Sequence, residues 1–161
     1  MANPVKAVPE CSPTITPSLT CKGAARAIDF YKQVFGAKES MRMEGPGGSI
    51  GHAELTIGNS KIMVNDEFPG RAVAPAGCTS HYLYVYFADC DAVFNRAVAA
   101  GAKVTMPLAD QFWGDRYGAI TDPFGHNWGI ASHMEDVAPE EMDRRAKEFM
   151  AKMSGHAASA G

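Results

Sequence analysis

The stretch AARAIDFYKQVFGAK, residues 24–38, recurs in altered form as DCDAVFNRAVAAGAK, residues 89–103. Both stretches end in Gly-Ala-Lys, and the offset from Gly36 to Gly101 is 65 residues. Apolar residues recur every three to four positions in each stretch, which is typical of a helix with one buried face. A glycine at the end of such a pattern predicts that the helix ends there. The chain is therefore predicted to contain two copies of one structural unit.

Strand patterns flank both predicted helices in the same order. The clearest alternates Leu83, Val85 and Phe87 with three tyrosines, which predicts a strand with one apolar face and one aromatic face. One strand precedes each helix and three follow it, separated by turns rich in Gly, Pro, Asn and Asp. The predicted strands are residues 14–21, 37–43, 52–57 and 61–65 in the first copy, and 81–87, 103–107, 117–121 and 128–132 in the second. The predicted fold is α+β, with two βαβββ repeats.

The segments outside the repeats differ from them. Residues 139–153 are predicted to form a helix, because proline and two glutamates begin the segment and lysines end it. The apolar stripe of this helix packs either on its own domain or on a second subunit, and the sequence leaves both open. The predicted organisation is an N-terminal extension (1–13), a first module (14–67), a linker (68–79), a second module (80–133), a C-terminal helix (134–153) and a flexible tail (154–161).

Composition excludes several classes of protein. The 161 residues carry 18 acidic and 15 basic side chains, and a net charge of -3 argues against a nucleic-acid binder. No apolar run reaches the roughly 18 residues of a membrane span, and the N-terminus lacks the apolar core of a signal peptide. We therefore expect a cytoplasmic protein without membrane contact. Four scattered cysteines without a C-x-x-C pair predict reduced thiols rather than a disulfide or zinc framework.

Short motifs at matching places in both repeats point to a known family. They are AIDFY at 27–31, VFGA at 34–37, WGDRYG at 113–118 and DPFGH at 122–126. Over about residues 14–133 the chain resembles the vicinal oxygen chelate superfamily of glyoxalases, bleomycin-resistance proteins and dioxygenases, in its PhnB-like or bleomycin-resistance-like branch. The resemblance implies that each sheet curls into a half-barrel and that the concave faces bind a small molecule. It also implies a homodimer, in which the halves are sometimes exchanged between subunits.

The resemblance implies four metal ligands in metal-dependent members, one on the first and one on the fourth strand of each half. These positions map to Thr16, Met63, Tyr82 and Gly129. None is a good ligand for a divalent metal, and a shift of one residue would supply only His81. No metal site and no cofactor is therefore predicted. This departure disfavours metal-dependent glyoxalase and dioxygenase chemistry.

Alternation along the strands assigns side chains to the cavity. Ala53, Leu55 and Ile57 are predicted to face the core, which turns His52 and Glu54 toward the cavity. These two residues form either an acid–base pair or a structural hydrogen-bonded pair. An aromatic cavity with a few polar groups suits planar or cationic ligands, although the tyrosines could instead pack on the C-terminal helix or on a partner. The predicted ligand-binding residues are Met63, Asn65, Tyr82, Tyr84, Tyr86, Trp113 and Tyr117.

Several polar residues receive structural interpretations. Asp115 and Arg116 are expected to form a salt bridge or to fix a turn, with a role in the site as the alternative. The sequence DPFG at 122–125 is expected to be a structural turn, with His126 at the surface or in the turn. Asp66 and Glu67 either extend an acidic rim or are simply solvated.

Three functions compete. The favoured one is the binding of an aromatic or cationic small molecule without chemistry, with antibiotic sequestration as one form of it. The alternative is a glyoxalase-like lyase or isomerase that uses His52 and Glu54 as catalytic residues. The third is a structural or regulatory dimer with a vestigial cavity. The fold does not choose among them, because this superfamily places unrelated functions on one scaffold.

Overall fold

The structure of the chain, a computed structural model, describes residues 8–9 and 12–158, and side chains as far as residue 153. The helices are α1 (Ala24–Phe35), α2 (Cys90–Ala99) and α3 (Pro139–Ala158), with a short 3-10 turn at Pro46–Gly48. The strands are β1 (Ser18–Cys21), β2 (Lys38–Glu44), β3 (Ile50–Ile57), β4 (Ser60–Asp66), β5 (Tyr82–Tyr86), β6 (Lys103–Asp110), β7 (Asp115–Thr121) and β8 (Asn127–His133). The predicted order, βαβββ twice and then a C-terminal helix, is confirmed.

The two repeats build two sheets of identical topology. Their strand orders are β1-β4-β3-β2 and β5-β8-β7-β6, and the first strand of each repeat lies parallel to the fourth. Strand β1 begins at Ser18, four residues later than predicted, because Pro13 and Pro17 lack the N–H groups that a strand needs. Helix α3 continues five residues beyond the predicted end at residue 153, into the segment expected to be a flexible tail.

The core lies between helices α1 and α2 and the inner faces of both sheets. Residues from both repeats belong to one buried cluster, from Leu19 in β1 to Ile130 in β8. Trp128 and Tyr31, the two largest fully buried side chains, come from different repeats, and their rings lie 5.3 Å apart. Helix α2 also contacts helix α1, where Arg96 donates to the carbonyl oxygen of Val34 at 3.1 Å, and each sheet turns its other face outward.

The start of helix α1 is capped from a neighbouring strand. Gly23 at the N-cap has a φ of 87° and no side chain, so the cap must come from elsewhere. Asp66 provides it: one carboxylate oxygen accepts from the backbone N–H groups of Gly23 and Ala24, at 2.9 and 2.8 Å. The other oxygen accepts from the N–H of Ile50 at 2.8 Å. Asp66 is thus a helix cap rather than part of an acidic rim, and Glu67 accepts from a loop N–H.

The turn after β7 ties the two repeats together. The buried Asp122 carboxylate accepts at one oxygen from Tyr31 Oη, 2.8 Å, and from Trp128 Nε1, 2.9 Å. Its other oxygen accepts from the backbone N–H groups of Phe124 and His126, both at 2.9 Å. The structural role predicted for DPFG is confirmed. The Asp122 carboxylate also binds helix α1 of the other repeat through Tyr31.

His126 lies in the turn, where its backbone exchanges hydrogen bonds with Asp122, but it is buried rather than at the surface. Its side chain is 4% exposed, and Nε2 lies 3.0 Å from the carbonyl oxygen of Thr20 in the first repeat. A carbonyl only accepts, so Nε2 carries the proton. The thiol of Cys21 lies 3.6 Å from the same nitrogen. Burial of this thiol, followed by the charge of Asp122, raises the pKa of Cys21 to about 12. His126 is therefore part of the contact between the repeats.

Cysteine placement partly matches the expectation of small core thiols. Cys21 and Cys90 are free and buried, whereas Cys78 is free and exposed; Cys11 lies outside the described residues.

No helix in the described part of the chain is long and apolar enough to span a membrane.

Candidate functional site

The outward face of the second sheet is aromatic. Strand β5 places Leu83 and Val85 against the core and turns its three tyrosines outward, with Tyr86 59% exposed. The neighbouring strand β8 places only Gly129 and Ala131 beside Tyr84 and Tyr86. Because these two residues are small, the rings of β5 lie open across the middle of this face.

A buried carboxylate holds the aromatic side chains in place. Asp115, the first residue of β7, is 4% exposed. One of its oxygens accepts from Tyr84 Oη at 3.0 Å, Tyr86 Oη at 2.9 Å and Trp113 Nε1 at 3.2 Å. The other lies 2.9 Å from Nδ1 of His133. A single carboxylate thus organises residues from strands β5 and β8 and from the β6–β7 turn.

The electrostatics of this group follow from its hydrogen bonds. Burial alone would raise the pKa of Asp115, but hydrogen bonds from His133 and the two tyrosines outweigh it and keep that pKa below its usual value. The pKa of His133 is raised by Asp115 and then by Asp136, whose carboxylate lies 2.9 Å from Nε2. The pKa values of Tyr84 and Tyr86 are raised, first by burial and then by their bonds to Asp115. Near neutral pH both phenols therefore keep their protons.

The rings also contact one another. Tyr84 stacks on Tyr117, with centroids 5.0 Å apart and an angle of 11° between planes. Tyr86 lies 5.1 Å from Tyr84, and Trp113 lies 5.9 Å from Tyr117. We call Tyr84, Tyr86, Trp113 and Tyr117 the aromatic cluster. Offset and edge contacts of this kind add stability beyond the area that they bury.

Glycine at position 129 is what admits Tyr117 to the cluster. A Cβ atom placed on Gly129 would lie 2.7 Å from Cε2 of Tyr117, closer than side-chain atoms approach. The ring occupies the space that any side chain at this position would fill. A larger residue at 129 would therefore displace Tyr117 from its stack on Tyr84.

The outward face of the first sheet is polar. His52 and Glu54 share this face in β3, with Nε2 and Oε1 3.7 Å apart, and Lys61 lies equally far from Glu54. These are longer contacts between partly exposed side chains rather than tight hydrogen bonds. Asn65 donates to Thr20 Oγ1 at 3.2 Å. The predicted alternation of β3 is confirmed, because Ala53, Leu55 and Ile57 are buried.

The structure therefore sorts the predicted site residues into two groups. His52, Glu54, Met63 and Asn65 lie on the outward face of the first sheet, and the aromatic residues lie on the second. Met63 is the register partner of Glu54, so the first group is contiguous. Within the described residues, no hydrogen bond, ion pair or ring contact joins one group to the other.

A groove of about 490 Å³ runs along the open edge of β5. Its walls include Leu83, Val85 and Trp128 from the second sheet, the β3–β4 turn, and Ile15 and Pro17. Tyr84 and Tyr86 also line it, so the groove meets the aromatic cluster at the edge of the sheet.

Sequence reasoning missed His133 as a site residue and gave Asp115 a site role only as the alternative to a local pair with Arg116. Asp115 does not pair with Arg116: neighbours in a strand point to opposite faces, and Arg116 binds Asp91 at 2.6 Å and Asp110 at 3.0 Å. The period-2 pattern that assigned Tyr117 outward also assigns Asp115 outward, two residues earlier. That signal was present, but the acid was interpreted as part of a local pair.

The four positions that hold metal in metal-dependent superfamily members do not fit a metal here. Thr16 lies before β1, outside the sheet, and Met63 and Tyr82 offer poor donor atoms for a divalent metal. Gly129 has no side chain, and the ring of Tyr117 occupies the space that a side chain there would fill. Among the residues that the structure describes, no three His, Cys, Asp or Glu side chains are grouped as metal ligands.

The fold and the outward sheet faces define a member of the glyoxalase-like class. The model of the Glyoxalase/Bleomycin resistance protein/Dioxygenase superfamily matches residues 14–130, and the chain belongs to that superfamily. An uncharacterized protein of Mycobacterium bovis is 41% identical over 136 residues, which cover 81% of this chain and 90% of that protein.

Solved structures agree with this assignment. TioX from Micromonospora sp. ML1 is 32% identical, with a TM-score of 0.62, over 76% of this chain and 100% of its own. The fosfomycin resistance protein FosX from Listeria monocytogenes, solved with Mn(II) and sulfate, has a TM-score of 0.60 over 81% of this chain and 96% of its own. FosX is only 16% identical, so its likeness shows the fold alone.

Proposed function

We propose that this protein binds an aromatic or cationic small molecule on the outward face of its second sheet and holds it without chemical change. The observation that carries the proposal is the aromatic cluster assembled over the buried Asp115 carboxylate. Rings fixed by hydrogen bonds and by stacking lose little conformational freedom when a planar ligand covers them. Aromatic faces also attract cations.

The polar groups on the outward face of the second sheet favour binding of a ligand without chemical change over its turnover. Each polar group that contacts Asp115 already donates its proton to a carboxylate, and none of the four positions discussed above, Thr16, Met63, Tyr82 and Gly129, has a side chain suited to a divalent metal. Antibiotic sequestration is one form that such binding would take. Met63, Asn65 and Tyr82 extend the proposed ligand-binding surface on either sheet.

Thermal-shift and fluorescence titrations test the proposal. The screen contains a bleomycin-type antibiotic, planar aromatic cations such as proflavine, glyoxal–thiol adducts and divalent metals. We expect planar cations to raise the melting temperature and to be recovered unchanged by mass spectrometry. Tyr84→Ala should weaken binding, whereas Val98→Ala, an exposed aliphatic change on α2, should not. A large shift with a metal alone, or consumption of the ligand, would contradict the proposal.

We also propose that the protein acts as a homodimer. The outward faces expose large apolar side chains that a second copy would cover, among them Met41, Met43 and Met106. The stripe of α3 is likewise incompletely covered: Phe149 contacts the ring of Phe112 at 5.0 Å but stays 40% exposed. Sedimentation equilibrium over a hundredfold concentration range should give twice the monomer mass. A monomer at all concentrations would remove this part of the proposal.

A catalytic role for His52 and Glu54 is the second candidate, favoured by their shared face and 3.7 Å separation. It would make the protein a lyase or isomerase of the glyoxalase-like class. If it operates, His52→Ala abolishes turnover of a glyoxal–thiol adduct while the melting temperature is unchanged. An equal rate in both proteins, or no turnover in either, would exclude this candidate.

A further inference from the structure

The direction of the hydrogen bonds around Asp115 restricts what this face can recognise. An ionised carboxylate only accepts hydrogen bonds, so Tyr84, Tyr86 and Trp113 must all donate to it. Each of these groups has one polar hydrogen, and Asp115 takes it. The oxygen of Tyr84 also contacts the Trp113 N–H, and that of Tyr86 contacts the Tyr84 hydroxyl, so each phenol oxygen retains only part of its acceptor capacity, and the indole retains no donor at all.

The ring nitrogens of His133 are also occupied by carboxylates. Its two ring nitrogens lie 2.9 Å from oxygens of Asp115 and Asp136, and because carboxylates only accept, the doubly protonated ring is the form in which both contacts are hydrogen bonds. The same two carboxylates raise the pKa of His133. In the doubly protonated form the ring and the two carboxylates carry one net negative charge at this end of the face. Arg116 and Arg145, on β7 and α3, add no net positive charge here, because each is paired with two carboxylates.

We infer that the Asp115 end of the aromatic cluster offers a ligand hydrogen-bond acceptors but no donors. It therefore selects planar aromatic molecules that present an N–H donor there, above all a protonated amine or amidine, and rejects carboxylates and phosphonates. An anion would place its lone pairs against those of Tyr84 and Tyr86, next to a net negative charge. This inference rests on the proposed function, because it names the ligand class of the same site.

The selection is local to one end of the face. The hydroxyls of Tyr82 and Tyr117 make no hydrogen bond with the described residues, so each is free to donate or to accept. A ligand with one basic end and one polar, uncharged end would therefore bind in a single orientation. Its basic end would lie over Tyr84 and Tyr86, and its ring would cover the stack of Tyr84 on Tyr117.

Three probes with one ring system separate donor from acceptor: 1-naphthylmethylammonium, neutral 1-acetonaphthone and 1-naphthoate. Calorimetry on the intact protein should give the tightest binding for the ammonium, by about 10-fold or more over naphthoate. Tyr84→Phe/Tyr86→Phe keeps every ring but removes both acceptors; made together with Asp115→Asn, so that no carboxylate is freed for the ammonium, it should cut this preference to below about 3-fold. Tyr82→Phe, the same chemical change at the unconstrained end, should alter all three affinities by one common factor.

The outcomes separate the two proposals. If all three probes bind equally and Tyr84→Ala weakens each of them, the binding function stands and the donor selection is overturned. If naphthoate binds best, the donor selection is likewise wrong. If no probe binds, both proposals fail. Asp115→Asn gives an independent check, since the loss of the charge should reduce the preference for the ammonium even where overall affinity falls.

Discussion

Removing the Asp122 carboxylate should destabilise the whole fold, because this group joins the two repeats. In Asp122→Ala, four donors lose their acceptor: Tyr31 Oη, Trp128 Nε1 and the N–H of His126, which are buried, and the part-buried N–H of Phe124. An unsatisfied buried donor costs about 1–3 kcal/mol, and part of this is recovered if water enters the space. We expect the free energy of unfolding to fall by about 3–5 kcal/mol, a large share of the stability of an ordinary domain.

Tyr31→Phe makes the smaller, matched change. It removes one donor, while Asp122 keeps the other three, so the expected cost is about 1 kcal/mol. In the Asp122→Ala background the same change should cost almost nothing, because the hydroxyl no longer has its acceptor. The coupling between the two substitutions should therefore also be about 1 kcal/mol.

Urea unfolding followed by circular dichroism measures these free energies, with Asp143→Ala on the exposed face of α3 as the control. The control should change stability by less than about 0.5 kcal/mol. A loss of under about 1 kcal/mol in Asp122→Ala would refute the reasoning. So would a Tyr31→Phe penalty of equal size in both backgrounds, since that penalty would then not come from the hydrogen bond.

Three other predictions follow from single contacts. Gly129→Ala should weaken 1-naphthylmethylammonium binding about 3- to 10-fold by displacing Tyr117, and unchanged affinity in calorimetry would contradict this. His133→Gln should lower the free energy of unfolding most below pH 6.5, the ordinary pKa of histidine, because the raised pKa of His133 means that its charged ring stabilises the fold there. The difference in unfolding free energy between the two proteins should shrink as the pH rises through the folded-state pKa of His133. A pH-independent difference between the urea midpoints would refute that sign. Asp66→Ala should cost about 1–2 kcal/mol, because three backbone N–H groups lose their acceptor, and an unaltered urea midpoint would argue against the cap.

The repeat and its secondary structure were accessible from the sequence because their signals are local. Helix α1 ends at Gly36, whose φ of 66° suits glycine, and the apolar spacing before it identifies the buried face. The alternation around Leu83 identified which face of β5 is aromatic. Both patterns arise from geometry within a few residues of chain, so no long-range contact was needed to read them.

The misassigned polar residues share one cause. Asp66, Asp115 and His126 each have partners far away in the chain, such as Gly23, Tyr84 and Thr20. A charged or polar side chain in a loop or at a strand end has the same local pattern whether it is solvated or buried. Whether such a side chain is buried depends on its hydrogen-bond partner, and the local sequence pattern does not predict which residue that partner is.

By itself, the sequence determined the two βαβββ repeats, the aromatic outward face of β5 and the poor donor set at the superfamily's metal positions. The tertiary structure alone decided that Asp115 gathers this face into one cluster, that Tyr117 fills the space above Gly129, and that Asp122 joins the repeats. The physical reason is that periodicity records which side of an element is buried. Hydrogen-bond partners and ring contacts depend instead on how separate elements meet, and that is set only when the sheets and helices pack.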